Sequence, residues 1–113
     1  MPEYKREAIT FDKELEDYDN ACQTGHIIHF RYNDSVKSVF AYCYLYGYAR
    51  DQKNYLIGFD IENNLICAFP LCKVRKTNVT RNPFHPSEKL IDSLEEYRNN
   101  CAFDKEVKFE EDN

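Results

Sequence analysis

The sequence predicts a mainly β fold with flanking helices, rolled into a small five-stranded barrel. Three observations carry that expectation. Between residues 26 and 79 apolar side chains recur at every second position, which is the period of strands. On either side of this region the apolar spacing changes to three and four, the stripe of a helix. The chain has 113 residues, enough for one core and too few for two. The organisation expected is therefore a single domain: helix about 11–23, barrel 26–80, helix about 87–100 and a loosely held acidic tail 102–113.

The first helix rests on Phe11, Leu15, Tyr18 and Cys22, one stripe, with Asp12 and Glu14 in its first turn and Gly25 just past its end. From His26 the pattern alternates: Ile28, Phe30 and Tyr32 against Ile27, His29 and Arg31. Asn33-Asp34-Ser35 reads as a turn, and a long strand 36–49 follows. After a turn at 50–54, residues 55–60 form the third strand and Glu62-Asn63-Asn64 a hairpin turn. Residues 65–69 are the fourth strand, and Pro70 marks an edge or corner before the fifth, 73–79. Asn82-Pro83 ends the sheet. Ser87 then caps a second helix with Leu90, Ile91, Leu94 and Tyr97 on its apolar face. Ile28, Phe30, Val39, Leu45, Leu56, Ile57, Ile66 and Val74 are the expected core, covered at one end by Leu15 and Tyr18. A leading helix with five short antiparallel strands fits a barrel of the SH3-like and Sm-like kind.

The strand "FAYCYLYGYA" (40–49) sets rings at Phe40, Tyr42, Tyr44, Tyr46 and Tyr48 against the slimmer Ala41, Cys43, Leu45 and Gly47. The slim face suits the crowded inside of a tight barrel, with Gly47 as a bend, and leaves the rings pointing outward. Stacking on single-stranded bases is one use for such rings. Burial under the second helix or against a second protomer is favoured, because no cation lies between them and five bare rings exceed a monomer's usual apolar patch.

The run from Asp19 to Val79 resembles the WYL domain, a Sm-like barrel. "ACQTGHIIHFRYND" matches the helix end and first strand of that family. "NYLIGFD" stands at its Trp-Tyr-Leu signature, and "CAFPLCKVRKTNV" at its closing segment. Tyr55, Leu56, Phe69, Leu71 and Lys73 agree in type. Asn54 stands in place of the Trp, Pro70 in place of the pocket Arg, and Cys72 in place of the Asp. The resemblance implies a regulatory or phage-defence module that senses a nucleotide or nucleic-acid ligand.

Charge is unevenly spread. Residues 1–25 carry −4, residues 26–82 carry +4 and residues 83–113 carry −5, for a net −5. The basic middle makes a phosphate ligand plausible where the whole-chain charge does not. The candidate ligand or nucleic-acid contacts are Lys73, Arg75, Lys76, Tyr55, Arg50 and Lys53. The candidate interface is the ring row, and a homo-oligomer is expected from it.

Five cysteines at irregular spacings, without a CxxC, read as reduced thiols and not as a disulfide framework or zinc site. His26 and His29 fall on opposite strand faces, and no metal or cofactor is expected. There is no nucleophile elbow, Gly-rich phosphate loop or HExxH, so the chain is expected to be non-catalytic. No apolar run approaches the roughly 20 residues of a membrane span, and the N-terminus has no apolar leader, which predicts a cytoplasmic protein. The function expected is nucleotide or single-stranded nucleic-acid binding. The alternatives are a protein-interaction adaptor using the ring strand and a small sponge that sequesters a nucleotide signal.

Overall fold

The computed structural model describes residues 15–48, 53–100 and 103–110, with backbone alone at 46–48 and 53. Helix α1 (15–24) ends where expected, at Gly25, whose φ of +73° is the left-handed conformation that closes a helix. Its amide donates to the Ala21 carbonyl at 3.0 Å. Residues 11–14 of the expected helix lie outside the described residues.

Strand β1 (His26–Tyr32) turns into β2 (Ser35–Tyr48) through Asn33 and Asp34. Their φ values of 48° and 64° are those of a two-residue turn whose twist matches the strands. Strand β3 (Lys53–Asp60) and β4 (Leu65–Pro70) form the next hairpin, with Asn64 at φ 56°. A single 3-10 turn, Leu71–Lys73, makes the corner after Pro70, so Lys73 precedes β5 (Val74–Pro83). The sheet is not broken at Asn82: Pro83 still pairs with His26. Helix α2 (Glu88–Asn100) starts with Ser87 as cap, its hydroxyl accepting the Leu90 amide at 3.1 Å.

The chain forms one antiparallel sheet in the order β5-β1-β2-β3-β4-β6, where β6 is Val107–Lys108. Six strands and an open sheet replace the closed five-stranded barrel that was expected. The acidic tail takes part in this sheet: Phe103 is buried, and β6 pairs through Val107 and Lys108 with Ile66 and Leu65 at one end of the β4 edge. The tail is therefore part of the fold, at least through Glu110.

Each sheet face carries a core cluster under one helix. On the first, Ile28, Phe30, Val39, Leu56 and Val74 pack with Phe69 and Leu71 under Tyr18 and Ala21 of α1. On the second, Phe40, Ile57, Phe59 and Ile66 pack under Leu90, Leu94 and Tyr97 of α2, joined by Phe103. Seven of the eight expected core residues are buried, but Ile57 and Ile66 belong to the second cluster. Leu45 is half-buried there.

The slim face does not stay on one side. Ala41 pairs with Gly58 and Cys43 with Ile57, so Tyr42 is an extra residue in β2. Such a bulge reverses the alternation. Phe40 and Tyr42 then face α2, Tyr44 packs with the first cluster, and Cys43 and Leu45 with the second. A further register shift between Leu45 and Tyr48 brackets Gly47. No helix among the described residues is long and apolar enough to cross a membrane.

Candidate functional site

With Ile28 and Phe30 turned to the first cluster, His29 and Arg31 take the opposite face of β1. Register fixes their neighbours. Arg31 sits between Arg75 of β5 and Val36 of β2, and His29 between Asn78 and Ser38. Arg31 and Arg75 are exposed, as is Val36 at 60%. The Arg75 Nη1 donates to the carbonyls of Cys72 at 2.6 Å and Val74 at 3.1 Å, which anchors the guanidinium beside the 3-10 turn. Lys73 and Lys76 are exposed on either side of it in sequence, Lys76 at φ 53° in a bulge where β5 carries one residue more than β1.

None of Arg31, Lys73, Arg75 and Lys76 is in an ion pair with a described residue. Like charges directly opposite across a strand pair oppose folding, and an anion bound between them removes that cost. Lys73 stands in the 3-10 turn before β5 and Lys76 in the β5 bulge, while Arg75 lies opposite Arg31 in the register. The outward placement of Arg31 is legible from the alternation of β1, but its pairing with Arg75 depends on contact between strands far apart in sequence.

The remaining expected residues are placed elsewhere. Tyr55 is half-buried in the second cluster, its ring 5.1 Å from that of Phe103. Arg50 and the side chain of Lys53 lie outside the described residues. Of the ring row, Phe40 is buried against Phe84, with ring centroids 5.2 Å apart. The Tyr42 hydroxyl donates to Glu95 of α2, and burial together with that carboxylate pushes it up to about 12. The Tyr44 hydroxyl donates to Asp19 of α1 at 3.4 Å. The side chains of Tyr46 and Tyr48 lie outside the described residues.

A second feature was not anticipated. Asp60, only 2% exposed, accepts from the Lys37 ammonium at 3.4 Å and from Asn63 Nδ2 at 2.9 Å. Lys37 and Asp60 border a cavity of about 230 Å³ enclosed by β4 and residues 103–106. No local spacing announces this pair, because it needs the β2–β3 register and the returning tail together. Cys67 also lines the cavity, and burial, reinforced by the Glu106 and Asp60 carboxylates, pushes its thiol up to about 12. Cys22, mainly through burial, is likewise pushed up to about 12. Both thiols are therefore inert core groups at neutral pH.

No protein-family model matches the chain, and comparison with curated proteins and with solved structures likewise finds no match.

Proposed function

We propose that the chain is a non-catalytic, WYL-like binding module whose cationic row takes the phosphates of a nucleotide or a single-stranded nucleic acid. The observation that carries this reading is the cross-strand pair of Arg31 and Arg75, exposed and without a carboxylate partner among the described residues. Guanidinium groups suit phosphate because their forked donors match its oxygens. Lys73 and Lys76 extend the positive surface, and the half-buried His29 lies one row away. The WYL-like part of the reading rests on the sequence resemblance alone, and a regulatory or defence setting follows from it.

The test is fluorescence anisotropy with a labelled oligothymidylate across a salt series. Binding at low salt should weaken linearly with log salt, and replacing both arginines (Arg31→Ala with Arg75→Ala) should reduce the slope by about 1.4, at roughly 0.7 per phosphate contact. No binding at low salt, or a slope the double variant leaves unchanged, contradicts the reading. In that event an adaptor role, with self-association through the ring strand, takes its place.

A further inference from the structure

The outward cations of β1 and β5 are concentrated in one row. Arg31 and Arg75 are direct partners across the two strands. Opposed residues of an antiparallel pair have Cα atoms about 4.5–5.5 Å apart, so two side chains as long as these reach one common group. The next outward row along the same strands is His29 with Asn78, flanked by Ser38 of β2, and holds no Lys or Arg. Arg81, the next cation of β5 after Lys76, lies about 20 Å beyond Arg75 at 3.4 Å per residue. Lys37 of β2 is engaged elsewhere, with Asp60 at 3.4 Å. Among the described residues the positive charge of this surface is a focus and not a track.

The two guanidinium groups are held differently. Arg75 commits Nη1 to the Cys72 and Val74 carbonyls, while its Nε and Nη2 are bonded to no described residue. The Arg31 side chain makes no hydrogen bond or ion pair with a described residue. One fork is thus fixed at the end of the sheet with donors to spare, and the other is open to close on the same ligand.

Resting on the phosphate reading above, we propose that this focus selects a phosphomonoester, the terminal phosphate of a nucleotide or of a strand end, over the diester phosphates inside a strand. A monoester carries about −1.5 to −2 charge near neutral pH and presents three free oxygens. A diester carries a single negative charge and two such oxygens. Two guanidinium forks match the charge of the monoester and find bidentate partners on it, whereas a diester leaves one fork short of acceptors. A surface that follows the interior of a strand spreads its cations along the backbone, which the row of His29 and Asn78 does not do.

The probes are oligothymidylates of one length that carry either a 5′-phosphate or a 5′-hydroxyl, compared at one low salt concentration on the full chain. The phosphorylated form is expected to bind about tenfold tighter. Arg31→Ala, at an exposed position bonded to no described residue, should cut that preference to about twofold. Displacement by thymidine 5′-monophosphate, with thymidine inert, assigns the site to a free nucleotide; displacement by the phosphorylated oligomer alone assigns it to a strand end. Either result keeps the monoester. Equal affinity for the two oligomers, or a preference that Arg31→Ala leaves at its original value, overturns the monoester assignment while phosphate binding stands. Failure of both oligomers to bind removes the phosphate reading itself, and the assignment with it.

Discussion

Gly58 shows how one missing side chain allows the sheet to coil. A Cβ built there would meet the Phe40 carbonyl oxygen at 2.6 Å and Val39 Cγ1 at 2.7 Å, the first of which is backbone and cannot rotate away. β2 approaches β3 this closely just before the Tyr42 bulge, so the glycine and the bulge act together to turn β2 between its two packed faces. Gly58→Ala is therefore expected to destabilise the chain by about 1–3 kcal/mol, as overpacking does. Urea unfolding measures this, and an unchanged midpoint would mean that the strands separate freely. Part of the core was legible in the sequence, because Ile28 and Phe30 alternate in β1 with His29 and Arg31, whereas β3 and β4 bury consecutive residues. Which cluster each buried residue joins was not legible, since a single bulge exchanges the faces of everything beyond it.

At the scale of elements, the tail is held by a side chain of α2. The Tyr97 hydroxyl donates to the Lys105 carbonyl at 2.6 Å. Phe103 adds ring contacts to Tyr97 and Tyr55, at 5.8 Å and 5.1 Å. Removing the hydroxyl takes this partner from the Lys105 carbonyl, and Tyr97→Phe should cost about 0.5–1.5 kcal/mol. Hydrogen exchange checks the mechanism as well as the magnitude. Amide protection at Ala68 and Val107 should fall before that of β1 does, and uniform loss would show that the tail is not a separate clasp. Helices and hairpins were readable because their signals are local: the Ser87 cap, Gly25, and the Asn33-Asp34 turn. The tail was not, because "DKEVKF" carries too few apolar residues to read as a strand and is ordered by α2 and β4.

For the whole molecule, the division of charge follows the division of cover. The acidic ends supply the two helices and the tail, which cover part of each face. α1 also reaches the basic sheet, where Asp17 accepts the Thr77 hydroxyl at 2.5 Å. The described residues leave uncovered the outer surface of β5, β1 and the start of β2, where Arg31, Arg75 and Val36 lie in one row. The basic middle was visible in the sequence as a block, yet only the pairing of β1 with β5 concentrates it into a surface. We propose this surface as the ligand face. The most direct test is to map backbone amide shifts on adding oligothymidylate at low salt. Perturbations should centre on Arg31, Lys73, Arg75, Lys76 and the neighbouring His29 and Asn78, and should disappear as salt rises. Shifts confined instead to the ring strand or to the β4 edge would contradict the claim.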